Sequence, residues 1–272
     1  MKLLTQGDDF GFTRGVTLGI VDSIDRGVLR NTGLFTNMPS TEFAVSFMKD
    51  RPQVCFGIDF NIVSGPSVAD PKLIPHLVDE KGEFIRSGVR TKDPMFATEE
   101  GRRAMFPYEE CYTEMKAQYD RFVELTGKKP GYLHAHSLMH ENYMQVIRDL
   151  AKETGIPFSM DLQTELGFVS GMSFLPKGSF SASMNKKVFD PAAQLAKEPL
   201  KNVLAHSEGY LAAEYATIGG HPGYVDAELL GLTTLSLERC KDADMMMSPV
   251  FRKWIEDNNV ELITYYDLYE AK

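Results

Sequence analysis

The sequence predicts an α/β fold in which parallel strands and connecting helices alternate within one domain of barrel size. Three observations point there. Strand-like apolar runs and helix-periodic segments alternate as far as Phe60, the rhythm of parallel strands joined by crossover helices. The length of 272 residues is common for a single α/β barrel. Acids and imidazoles gather at the ends of the strand-like runs, and in parallel barrels those ends share one face.

Taken in order, residues 2–5 read as a short buried strand and residues 7–13 as its outgoing loop. Val16, Ile20, Ile24 and Val28 then recur at near-helical spacing, with Arg26-Gly27 as a stop signal. Residues 31–36 form a second strand, 41–49 an amphipathic helix ended by Pro52, and 54–60 a third strand carrying Asp59. From residue 61 to 107 the chain is rich in Pro, Gly and charge, and is expected to be an insertion. Such a loop is either a lid or substrate wall, or a plain surface excursion. Residues 108–125 predict a helix with Met115, Tyr119 and Phe122 on one face and Gly127 at its end. A strand follows with His134 and His136, then a helix over 143–152 and a strand over 157–160. Residues 180–183 and 203–205 carry weaker signals and their type stays open. Residues 213–218 read as a strand delivering His221-Pro222-Gly223-Tyr224, and two helices (233–247, 249–258) lead to a last strand at 261–264. No internal repeat divides the chain, so residues 1–272 are read as one domain.

Composition narrows the partners. A net charge of −9 argues against nucleic acid, whose phosphates need clustered Lys and Arg. Three cysteines lie far apart, odd in number and without CxxC spacing, which fits a reducing compartment better than a disulfide framework. No apolar run approaches the ~18 residues of a membrane span and no leader-like segment opens the chain. The expectation is a cytoplasmic protein with no membrane partner. Met245-Met246-Met247 reads as packing, since its spacing suits no single face.

The polar residues carry the chemistry. Asp8 and Asp9 are adjacent, and two like charges side by side are costly unless a cation offsets them. The bland alternative is a pair that starts a turn and caps the next helix. Asp59, His134, His136 and His221 also end or follow strands. His134 and His136 are spaced i, i+2, so on a strand both point the same way. Buried imidazoles need partners, and one metal satisfies two. His140 either caps the following helix or lines the site, whereas His76 and His206 lie in irregular stretches. Arginines are more often solvated or paired with acids; among Arg14, Arg30 and Arg239, Arg239 is the candidate for substrate oxygens.

These blocks, in this order, resemble the YdjC-like carbohydrate deacetylases over nearly the whole chain. That family opens with Asn-Ala-Asp-Asp-Phe-Gly, here Gln6-Gly7-Asp8-Asp9-Phe10-Gly11. A block ending in Asn-Met-Pro is matched by Gly27-Val28 to Asn37-Met38-Pro39, and Gly-Leu-His-Leu-Asn-Leu by Gly57-Ile58-Asp59-Phe60-Asn61-Ile62. An Asp-Ser-His-His-Xaa-His-like segment is matched by His134-Ala135-His136 and His140, and His-Pro-Gly-Tyr by His221 to Tyr224. The resemblance implies a variant (β/α) TIM-like barrel, a divalent metal and hydrolysis of an N-acetyl group on a chitin-type amino sugar. It implies a small carbohydrate as partner; a homodimer is a candidate assembly that the sequence leaves open. Carried over by position, Asp9, residue 59 and His136 are metal ligands, Asp8 the general base and His221 the general acid. Asn61, Tyr224, His140 and Arg239 are the substrate-binding candidates.

One departure matters. The family has His where this chain has Asp59, and often Asp where it has His134. Either His134 takes over as a ligand, or Asp59 itself ligates, or the site has decayed into a sugar-binding or regulatory barrel. An Asp-Asp-His set favours harder ions, so Mg²⁺ is expected, with Mn²⁺ or Zn²⁺ as alternatives. Two carboxylates with two histidines also serve O-acetyl or phosphoester hydrolysis, which stand as alternative reactions.

Overall fold

The computed structural model describes residues 1–174 and 189–269. Among the described residues, seven parallel strands form one sheet: β1 (Lys2–Phe10), β2 (Asn31–Leu34), β3 (Cys55–Phe60), β4 (Leu133–Ala135), β5 (Val169–Ser170), β6 (Tyr215–Gly220) and β7 (Glu261–Ile263). Their order is β4-β3-β2-β1-β6-β5, with β7 pairing to β1, and the sheet curls into a half-barrel covered by helices. This is the variant (β/α) barrel that the family resemblance implies, built from the parallel strands that the alternating pattern predicts.

β1 is the centre of the sheet, and its two edges are used differently. One edge pairs continuously with β6, from Lys2↔Tyr215 to Gly7↔Gly220. The other is shared: Lys2–Leu4 pairs with β7, whereas Gln6, Gly7 and Phe10 pair with β2. Asn31 closes the junction. Its amide donates to the carbonyls of Thr5 (3.0 Å) and Ile263 (3.2 Å), and its Oδ1 accepts from the Tyr265 N–H at 3.0 Å.

β1 is longer than the sequence suggests. Residues 7–10, expected as loop, are strand: β2 and β6 hold Gly7 from both sides, and β2 alone holds Phe10. The strand strains only at its end, where the β2 register shifts after Gly7 and Asp9 adopts a φ of 74°. Gly7 is required here: a Cβ would lie 2.7 Å from Pro222 Cγ, so the glycine lets the 221–224 segment pack onto the strand.

The first helix, Arg14–Asp25, is capped by Thr13, whose Oγ1 accepts from the Val16 N–H at 3.2 Å, and buries Val16, Ile20 and Ile24. Tyr108–Thr126 buries Met115, Tyr119 and Phe122 as its pattern predicts. Two further expectations are corrected and one open segment is settled. Residues 157–160 are not a strand: Phe158 makes a single parallel bridge to Leu133, and the helix Ser159–Glu165 starts at once. The helix expected from 233 begins at Glu238, because the amides of Ser236 and Leu237 are held by Gln194 Oε1 (3.1 and 2.9 Å). Residues 203–205 belong to the helix Pro199–Ala205, while 180–183 lie outside the described residues.

Residues 61–107 carry two short helices, Ser87–Arg90 and Glu99–Met105, and bury Ile62, Val63, Ile74, Leu77 and Phe84 in the main core. Glu114 anchors this segment by accepting from the N–H groups of Val68 (3.1 Å) and Ala69 (2.9 Å). All three thiols are free. Among the described residues no helix is long and apolar enough to cross a membrane.

Candidate active site

β1, β3 and β4 converge on one acidic pocket of side chains. Asp59 and His134 are register partners on neighbouring parallel strands, so their side chains project to the same side. Asp8 joins them from β1, and one donor atom from each of the three lies within 4.8 Å of the others. Asp59 is fully buried; its Oδ2 accepts the Asp9 backbone N–H at 2.8 Å, while its Oδ1 has no hydrogen-bond partner. Burial, together with the charges of Asp8 and Asp9, pushes its carboxyl well above the usual range. A buried, unpartnered carboxylate oxygen beside a second acid and an imidazole is costly on its own and fits a cation.

The imidazole is oriented from behind. His134 Nδ1 meets Ser159 Oγ at 2.6 Å, which turns Nε2 towards Asp8 Oδ2 (3.7 Å) and Gln6 Nε2 (3.4 Å). The Gln6 amide nitrogen can only donate, so Nε2 is the acceptor and Nδ1 carries the proton. Burial lowers the pKa of this histidine against the opposing pull of Asp8, keeping the imidazole in the neutral form that metals bind.

Asp9 faces a second cluster. Its fully buried carboxylate is held by Arg239 Nη2 at 2.6 Å and His136 Nδ1 at 2.9 Å. Burial alone would raise its pKa, but His136 and Arg239 hold it well below the usual range. Arg239 is itself buried, with Nε bonded to the Leu235 carbonyl at 2.9 Å. The His136 ring meets Phe35 edge-on at 4.7 Å. His221 acts electrostatically on both Asp9 and His134, and its backbone N–H donates to buried Asp242 at 2.9 Å.

The remaining sequence candidates are engaged within the fold. Asn61 is buried, its amide donating to Asn37 Oδ1 (3.0 Å) and the Ser64 carbonyl (2.8 Å). The Tyr224 hydroxyl bonds Asp22 at 2.5 Å. His140 caps the helix Glu141–Thr154 and stacks on Phe106 at 4.0 Å, and burial pushes its pKa down to about 3. Sequence reasoning missed Gln6, Ser159 and Asp242. Gln6 alone carried a local signal, since it lies two residues from Asp8 on the same strand face.

A parallel (β/α) barrel with an acid–imidazole centre where its strands end is the class that these features define. The chain belongs to the YdjC-like family, whose pattern matches residues 2–257. It is 34% identical over 277 residues to carbohydrate deacetylase 2 of Listeria innocua, covering 98% of this chain and 99% of that one. It is 27% identical over 271 residues to the chitooligosaccharide deacetylase of Klebsiella pneumoniae, covering 98% of each. In fold it is similar to the crystal structure of a candidate cellobiose-phosphate cleavage protein from Enterococcus faecalis V583, with a TM-score of 0.75, 20% identity and 98% of both chains covered.

Proposed function

We propose that this protein is a metal-dependent hydrolase that removes the N-acetyl group from an amino sugar of the chitooligosaccharide type. The observation that carries the reading is the convergence of Asp8, Asp59 and His134, with one Asp59 oxygen buried and unpartnered. The family relatives named carbohydrate and chitooligosaccharide deacetylase support the substrate class. The geometry favours a different division of roles from the one carried over by motif. Asp8, Asp59 and His134 would hold the ion; two carboxylates and one imidazole suit Mg²⁺, with Mn²⁺ or Zn²⁺ as alternatives. Such an ion, when bound, supplies Lewis-acid polarisation of the amide carbonyl and acidifies a nearby water.

The other residues handle protons. Asp9 and His136 form a carboxylate–imidazole pair in which Asp9 orients the ring through Nδ1, leaving Nε2 to take the proton of the attacking water. Arg239 keeps Asp9 ionised. His221 donates a proton to the departing nitrogen. The C–N bond breaks, a C–O bond forms, and acetate and a free amine leave.

The test is acetate and free-amine release from N-acetylated chitooligosaccharides, with EDTA and metal add-back. The expected result is loss on chelation and recovery with Mg²⁺ or Mn²⁺. Full turnover after chelation overturns the metal reading. Hydrolysis of O-acetylated or phosphorylated sugars without amine release assigns the alternative reactions.

A further inference from the structure

Tyr265 lies beyond residues 2–257, the stretch that matches the family, yet its hydroxyl stands directly behind the candidate centre. Its side chain is fully buried, with its ring 4.1 Å from that of Tyr132. The hydroxyl accepts from Gln163 Nε2 at 2.6 Å and donates to Gln6 Oε1 at 2.6 Å. Gln6 Nε2 then donates to Asp8 Oδ1 at 2.7 Å. Each link has one possible direction. An amide nitrogen only donates and an amide oxygen only accepts, so the single phenolic proton must point to Gln6.

The consequence falls on the carboxylate. A glutamine amide can be turned over with little change in shape, presenting either oxygen or nitrogen to Asp8. Oxygen would face a carboxylate with two acceptors opposed; nitrogen gives a charge-assisted hydrogen bond. With its oxygen committed to Tyr265, the Gln6 amide presents nitrogen. Asp8 Oδ1 is thereby occupied, and Oδ2 is the oxygen 3.7 Å from His134 Nε2. Ser159, which meets His134 Nδ1 at 2.6 Å, also interacts with the Tyr265 hydroxyl, so two of the three donor residues have their partners at this one group.

Resting on the metal reading above, we infer that Tyr265 is a positioning residue: through Gln6 it fixes which Asp8 oxygen faces the metal. Partners behind a ligand commonly change metal affinity by about 10–100-fold when removed. The experiment is Mn²⁺ titration calorimetry on the full chain, comparing wild type with Tyr265→Phe, which keeps the ring against Tyr132, and with Gln6→Met, which removes the amide. Thermal melts of the metal-free proteins establish that each variant folds. The expected result is affinity weaker by about tenfold or more in both variants. At saturating Mn²⁺, turnover with chitooligosaccharide should recover substantially in Tyr265→Phe, because a merely mispositioned ligand is rescued by mass action. Unchanged Mn²⁺ affinity in either folded variant overturns the inference and leaves the metal reading intact. Absence of Mn²⁺ uptake by wild type overturns the metal reading and the inference with it.

Discussion

Gly33 and Asp59 occupy the same space on adjacent strands: a Cβ on Gly33 would lie 1.9 Å from Asp59 Oδ1. The orphaned carboxylate oxygen therefore sits in a recess that the missing side chain of β2 leaves open. Gly33→Ala is expected to displace Asp59, destabilise the chain by about 1–3 kcal/mol and abolish measurable Mg²⁺ binding. Urea unfolding and calorimetry check both halves.

Asp8 and Asp9 differ by one position but face different partners, and their variants should separate cleanly. Asp8→Asn is expected to weaken Mn²⁺ binding by about 100-fold or more, since it removes a proposed ligand. Asp9→Asn should leave Mn²⁺ affinity within about threefold while cutting kcat by about 10²–10⁴, because it frees His136 and strips Arg239 of its counter-charge but removes no proposed ligand. The reverse pattern would restore the roles carried over from the family motifs.

Arg239 is the buried counter-charge of Asp9. Arg239→Met leaves a carboxylate buried without its cation, and breaking such a pair costs about 3–5 kcal/mol. A denaturant series should register that loss, and Asp9→Asn in the same background should recover part of it, since the two residues form one unit.

Glu114 predicts a pH dependence away from the centre. Burial raises its carboxyl from 4.5 to about 7, although Gln118 and the amides of Ala69 and Val68 all stabilise the anion. The folded chain therefore holds this proton more tightly than the unfolded chain, and stability falls as pH rises from about 4.5 to 7. The loss is complete above that window and amounts to about 3 kcal/mol at most. Equilibrium unfolding across the range should show the slope, and Glu114→Gln should flatten it while loosening the 67–69 loop.

The positions of β1, β3, β4 and β6 were readable because apolar runs ended in or led to acids or histidines, and the same endings marked Asp8, Asp9, Asp59, His134, His136 and His221, whereas the two residues of β5 gave no signal. The extent of β1 was not readable. Gly7-Asp8-Asp9 has the composition of a turn, and only pairing with β2 and β6 makes it strand. Residues 157–160 failed for a related reason: so short an apolar run is compatible with either strand or helix start. The split between two clusters was also hidden, because adjacent side chains take opposite sides only once Asp8 and Asp9 are known to lie on a strand. Gln6 and Tyr265 meet across 259 positions, and no local pattern announces such a pair.

The shared edge of β1 has a consequence for how the molecule is made. Residues 2–4 are synthesised long before residues 261–263, with which one of their ladders forms, and the phenol of Tyr265 behind Asp8 follows those residues. During translation the first strand emerges with part of its edge open, a surface prone to wrong pairing. Residues 261–265 must leave the ribosome before the side chains around Asp8 gain all of their partners. A nascent chain short of residue 261 therefore leaves Lys2–Leu4 without the β7 ladder and Gln6 without its Tyr265 partner.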